Sequence, residues 1–181
     1  MYDKEFYKRN YKFQKALADN LAEWIAEKYK PKSIVDFGCG CGFFSGTIAK
    51  LTGGEAIGFN GDIPENKEID IYQDDLSKNI TGTELYDLVI SLEVAEHIRE
   101  DCADIFINNL INHGDRILFS AATPGQGGEN HINEQPHEYW HKKFEDRGYK
   151  CFDIIRPLLK DKKEVPFWYR NNIFLYEKVT D

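Results

Sequence analysis

Apolar positions along the chain follow two rhythms. Phe13, Leu17, Leu21, Trp24 and Ile25 recur at helical spacing up to Pro31, which predicts a first helix with one buried stripe. From residue 34 onward the apolar residues gather in short runs: Ile34-Val35 with Phe37, Glu55 to Phe59, Ile69 to Tyr72, Asp87 to Glu93, Arg116 to Ala121, Cys151 to Ile155 and Ile173 to Glu177. Each has strand length, and Leu88-Val89-Ile90 lacks alternation, as expected of a strand covered on both faces. Helical patterns separate the runs. Phe43 to Leu51 stops at Thr52-Gly53-Gly54, and Ala103, Phe106, Ile107, Leu110 and Ile111 precede a stop at Asn112-His113-Gly114. Pro136 is expected at the first position of a further helix that runs to Arg147 and is capped by Gly148. Strands alternating with helices up to the fifth, then helix, strand, strand, make an α/β chain with a doubly wound sheet.

The first strand runs straight into a glycine-rich turn, Asp36-Phe37-Gly38-Cys39-Gly40-Cys41-Gly42. Glycines there permit left-handed backbone and let a ligand approach the main chain. A dinucleotide fingerprint needs its third glycine one residue later, where this chain has Phe43, and no Lys-Ser/Thr pair follows to make a phosphate cradle. The strand, the acidic residue and Gly-x-Gly-x-Gly instead resemble the first motif of the class I methyltransferases that use S-adenosylmethionine. The match widens with Asp87-Leu88-Val89-Ile90-Ser91-Leu92-Glu93-Val94-Ala95-Glu96-His97, and with Leu118-Phe119-Ser120-Ala121-Ala122 followed by Pro124-Gly125-Gln126-Gly127-Gly128, His131 and Asn133. These stretches look like a set of short, mostly bacterial methyltransferases, over roughly residues 33–178.

That resemblance implies a Rossmann-like, seven-stranded mixed sheet with its last strand antiparallel. It also implies S-adenosylmethionine as cofactor, leaving as S-adenosylhomocysteine, held by Asp36, Gly38, Cys39, Gly40, Asn60, Asp75, Leu76, Ser91 and Glu93. Asn60 departs from the family pattern, which has a carboxylate there for the ribose hydroxyls; either the amide keeps the role weakly or Asp62 takes it over. Replacing Gly40 by Val is expected to fill cofactor space and leave the fold.

Length bounds the rest. At 181 residues one domain spanning 1–181 is expected, with an N-terminal segment over 1–30 and a core over 33–178. A net charge of −8 argues against a long nucleic-acid partner. There is no apolar leader or membrane-length run, and Cys39, Cys41, Cys102 and Cys151 form no Cys-x-x-Cys pair, so a reducing cytoplasm is expected. Cys39 reads as a small turn residue. The aromatics Tyr2, Phe6, Tyr7, Tyr11 and Phe13 leave two readings, packing on the first helix or a flap over the cofactor.

The long polar loop Thr123 to Gln135 leaves the carboxyl end of the fifth strand, where such loops carry function. His131 and His97 are the candidate bases, because imidazole titrates near neutrality. An extended segment would turn His131, Asn133 and Gln135 to one side. With Gln126, Trp168 and Tyr169, these amides form the candidate acceptor site. Glu96, His97, His131 and His137 could converge on a metal, but spacing alone does not assemble them, and no metal is assigned. The leading expectation is methylation of a small molecule, with a sugar or secondary-metabolite hydroxyl as acceptor. Methylation of protein or RNA, or a cofactor-binding module without catalysis, are the alternatives. Oligomeric state is left open.

Overall fold

The computed structural model describes residues 4–82 and 84–179; Tyr2 of the aromatic N-terminus lies outside them. α1 (Lys4–Tyr29) is followed by β1 (Ser33–Phe37), α2 (Phe43–Thr52), β2 (Glu55–Asn60), β3 (Asp70–Gln73) and β4 (Leu88–Leu92). Then come α3 (Ala103–Ile111), β5 (Arg116–Ser120), α4 (His137–Glu145), β6 (Tyr149–Phe152), α5 (Arg156–Leu159), α6 (Phe167–Asn172) and β7 (Phe174–Lys178). The sheet has the order β3-β2-β1-β4-β5-β7-β6, parallel except for β7, which runs antiparallel to β5 and β6. The expected seven-stranded mixed sheet is therefore the observed one.

Alternation along each central strand divides the core. Ile34, Leu88, Ile90, Leu118 and Leu175 meet α1, α2, α5 and α6 through Leu17, Leu21, Ile25, Phe44, Ile48, Leu159 and Tyr169. Val35, Phe37, Val89, Ile117, Phe119 and Tyr176 point the other way, onto Phe106, Leu110, Trp140 and Phe144 of α3 and α4. Both layers bury apolar strand faces, which is what an unalternating strand sequence requires.

Several boundaries differ from those expected. The aromatic N-terminus is not a separate packing piece: Lys4 to Tyr29 is one helix. Strands and helices do not alternate strictly, because among the described residues 61–69 and 74–87 hold turns and no helix; Pro64, Gly82 and clustered Asp and Asn break the pattern. Pro136 is the cap before α4, with extended backbone (φ −63°, ψ 155°), and α4 ends at Glu145 before Arg147. β6 begins at Tyr149 directly after Gly148, two residues before the expected Cys151, because its pairing with β7 fixes Tyr149 opposite Lys178; Ile155 instead leads into α5. The polar excursion before β7 holds two short helices, α5 and α6.

Candidate functional site

The strand order reverses between β1 and β4, and the crevice at their carboxyl ends is where ligands bind in open α/β sheets. A cavity of about 1120 Å³ opens there. Its floor is the glycine turn. Gly38 and Gly40 take left-handed φ values of 79° and 56°, which strain any other residue. A side chain at Gly40 would strike Asn10 and Gln14 of α1. Replacement by Val would thus force α1 away from the turn, rather than simply fill cofactor space as expected.

Gln14 is the residue that sequence reading passed over. Its Nε2 donates to the Cys39 carbonyl at 2.8 Å and to Asn10 Oδ1 at 2.8 Å, and its Oε1 accepts from the Phe43 and Phe44 N–H groups at 2.8 and 3.3 Å. One buried amide thereby caps α2, whose own N-cap, Gly42, has no side chain to do so. The signal was available: Gln14 sits three residues before Leu17 and seven before Leu21, a polar residue on the apolar stripe.

At the end of β1, Asp36 is buried, and desolvation raises its pKa to about 7 against the favourable hydrogen bond from Ser45. Cys39 lines the cavity and rests its sulfur over Gly58, where a Cβ would collide with it. Burial pushes its thiol well up, so it is a packing residue of the turn.

At the end of β2, the Asn60 amide donates to the Asp62 carbonyl at 2.8 Å and to Asp62 Oδ1 at 3.2 Å, and Tyr7 of α1 donates its hydroxyl to Asp62. Asn60 thus positions Asp62, the carboxylate that the strand end lacks, and both line the cavity. After β3, Asp75 and Leu76 line the cavity wall, with Asp74 beside them. Asp75 accepts from the Ser77 hydroxyl at 2.6 Å and pairs with Lys78 at 3.0 Å, contacts that lower its pKa.

Ser91 does not reach the cavity. It is fully buried in β4, facing into the core with its hydroxyl unpartnered, because alternation along the strand turns it from the crevice end. Glu93 does reach it. It holds a left-handed φ of 56°, a strain of roughly 1–3 kcal/mol that surrounding bonds must offset. Its N–H donates to the Ser120 carbonyl and hydroxyl, and its carboxylate accepts from Gln126 at 2.7 Å and Asn172 at 3.3 Å. Gln126, expected to meet an acceptor, is held between Glu93 and Asn172.

The polar loop does not extend as a strand. His131 lines the cavity, but Asn133 is buried and Gln135 donates to it at 2.9 Å, so neither amide lines the cavity beside His131. Glu134, unremarked in the sequence, organises the loop instead. It accepts from the Gly125 and Gly127 N–H groups at 2.8 Å each and from His131 Nδ1 at 2.9 Å. The Glu96 carbonyl accepts from the Ile132 and Asn133 N–H groups, tying the loop to the turn after β4. His97 and His131 meet edge to face at 4.9 Å, with Glu96 beside them. His137 lies apart from this group, bonded to Asn172. On α6, Trp168 packs edge to face on Phe13 at 5.1 Å, and with the buried Tyr169 it closes the cavity.

No protein-family model and no curated sequence matches the chain. Solved structures do. The Burkholderia thailandensis 1,6-didemethyltoxoflavin-N1-methyltransferase, with 1,6-didemethyltoxoflavin and S-adenosylhomocysteine bound, superposes at a TM-score of 0.69 and 12% identity, over 96% of this chain and 82% of that one. Magnesium protoporphyrin IX methyltransferase from Synechocystis PCC 6803, with S-adenosylhomocysteine bound, gives 0.62 and 17%, over 99% and 89%. The O-methyltransferase of a Brevibacillus brevis trans-AT polyketide synthase multienzyme gives 0.63 and 15%, over 97% and 77%. At these identities the likeness is one of fold, and the fold is that of the class I methyltransferases. Among the described residues no helix is long and apolar enough to cross a membrane.

Proposed function

We propose that the protein is an S-adenosylmethionine-dependent methyltransferase acting on a small molecule. The observation that carries this reading is the charge of the cavity wall. Asp62, Asp74, Asp75 and Glu129 line it, with Asp36, Glu93 and Glu96, whose pKa values burial raises and a cationic ligand would lower, against one arginine among the described lining residues, Arg9, which pairs with Glu129 at 3.8 Å. A pyrophosphate would meet carboxylates there, whereas a sulfonium and an ammonium group would meet complementary charge.

The residues fit that cofactor. Asp62, steadied by Asn60 and Tyr7, offers a carboxylate to ribose hydroxyls; Asp75 and Leu76 offer an acceptor and an apolar face to adenine; Asp36 and the open backbone of the glycine turn border the methionine part. Bound there, S-adenosylmethionine supplies a methyl group on a positively charged sulfur, open to in-line displacement. The chain's part is to align the acceptor and exclude water. Trp168, Tyr169 and Phe13 form the apolar wall for that purpose, and His97 and His131 the polar end that receives the acceptor's hydroxyl. At about 1120 Å³ the cavity exceeds the roughly 300–1,000 Å³ of a single-ligand pocket, which leaves room for a small acceptor beside the cofactor. Proteins of the same fold named for magnesium protoporphyrin IX and for 1,6-didemethyltoxoflavin support a ring-bearing small molecule as acceptor.

Calorimetry tests the reading: S-adenosylmethionine should bind and NAD should not. A library of hydroxylated small molecules should then yield S-adenosylhomocysteine with at least one member. Binding of NAD alone would overturn the proposal, and cofactor binding without turnover on any acceptor would favour a non-catalytic module.

A further inference from the structure

We infer that Glu96 is a subsite for a protonated nitrogen on the acceptor, an ammonium group held between its carboxylate and the His131 ring. Glu96 lines the cavity and is fully buried, and neither of its carboxylate oxygens has a hydrogen-bond partner. A buried carboxylate left unsatisfied is costly, and a fold tolerates one where a ligand completes it.

The surrounding chain does not complete it. No lysine is among the described lining residues, and Arg9 is engaged by Glu129. The amides of Gln126 and Asn172 donate to the neighbouring carboxylate of Glu93 instead. The backbone of Glu96 is fixed against the polar loop, its carbonyl accepting from the Ile132 and Asn133 N–H groups at 3.0 Å each.

His131 supplies the second point of contact. Its Nδ1 donates to the Glu134 carboxylate at 2.9 Å, and that carboxylate is held by the Gly125 and Gly127 N–H groups. The ring thus presents the lone pair of its Nε2, which stands 3.9 Å from Glu96 Oε1. That separation is too long for a direct hydrogen bond, but it suits one donor nitrogen about 2.8–3.0 Å from both atoms. Two acceptors that share one space call for a group with at least two N–H bonds. A hydroxyl has a single hydrogen to donate, whereas a primary ammonium has three.

Charge points the same way. Burial, and then the Glu93 carboxylate, push the Glu96 pKa well up, opposed in part by the nearby N–H groups of Glu96 and Ala122. A positively charged ligand offsets both penalties, and a neutral one leaves them in place. A protonated nitrogen has no lone pair to take a methyl group. It therefore anchors the acceptor and sets a neighbouring hydroxyl at this polar end of the cavity. That role rests on the methyltransferase reading; recognition of the ammonium group does not.

The test uses the full chain saturated with S-adenosylhomocysteine, whose own ammonium group fills any site that the cofactor needs, in buffer with chelator. Matched ring-bearing probes are titrated by calorimetry: benzylamine against benzyl alcohol, and glucosamine against glucose. The amine of each pair should bind more tightly by about tenfold or more. Glu96→Gln, with wild-type circular dichroism, keeps the shape and removes the charge, so the preference should vanish. His131→Ala removes the second acceptor and should weaken amine binding by about tenfold, which keeps the test decisive if Glu96→Gln does not fold. Equal binding of amine and alcohol by the wild-type chain, or a folded variant of either kind that keeps the full preference, would overturn the subsite. S-adenosylhomocysteine affinity, measured first, separates the two ideas. Its binding without an amine preference sinks the subsite and spares the reading of the pocket. An amine preference in a chain that binds neither S-adenosylhomocysteine nor S-adenosylmethionine does the reverse.

Discussion

Asp36 ends β1 with its carboxylate closed off from water, and the Ser45 hydroxyl is what favours its charged form. Its pKa, raised to about 7 from 3.8, means that the folded chain holds a proton which the unfolded chain has already lost. Stability therefore falls as pH climbs from about 4 to about 7 and is unaffected by this group above that. A cationic ligand beside Asp36 reverses the preference and expels the proton. S-adenosylmethionine should therefore bind more tightly as pH rises toward 7, by at most about tenfold per unit, and level off beyond. Calorimetry across that range, repeated on Asp36→Asn, is the check: the variant should lose the slope. At this scale Asp36, Asn60 and His131 could be picked from the sequence because each follows a strand end or a glycine turn. Gln14 shows in the sequence only as a polar residue on an apolar stripe, and Glu134 not at all, because what each does is satisfy backbone groups far along the chain or across a loop. Ser91 was misplaced because a strand's end points to a crevice while its side chains alternate.

Among the elements, α1 joins the two readings offered for its aromatic start. Its later turns bury Leu17, Leu21 and Ile25 against α2 and the sheet, while Phe6, Tyr7, Asn10 and Phe13 from its early turns line the cavity. Core and wall are thus separable along one helix. Truncation before Phe13 should weaken cofactor binding by about tenfold or more, since Asp62 loses the Tyr7 hydroxyl. Melting should fall by only about 2–4 °C, the shift expected for roughly 1 kcal/mol in a chain of this size. Equal losses in affinity and in melting temperature would mean that the early turns serve the core. The strands were legible because uninterrupted β-branched runs have few other uses; the helices expected beside β3 were not there, since segments rich in Asp, Asn and Gly follow turn chemistry instead.

For the molecule as a whole, the α/β class was readable, the seven-stranded mixed sheet came with the family resemblance, and the assembly of the site was not readable. Sequence pattern reports which face of an element is apolar, and layering follows from that. It carries no record of which polar groups converge from residues 14, 43, 96 and 131, since those meetings depend on the finished fold. The Gln14 bonds to Phe43 and Phe44 carry one more consequence. Amide protons at the start of a helix ordinarily exchange with solvent readily, lacking carbonyl partners within their own helix. Here the two protons are guarded by a different helix, so they exchange only when α1 lifts away. Deuterium uptake at Phe43 and Phe44 is therefore a clock for α1. It should run well ahead of uptake in the β1 and β4 amides if α1 opens alone, keep pace with them if the fold opens as one, and slow when S-adenosylmethionine fills the cavity.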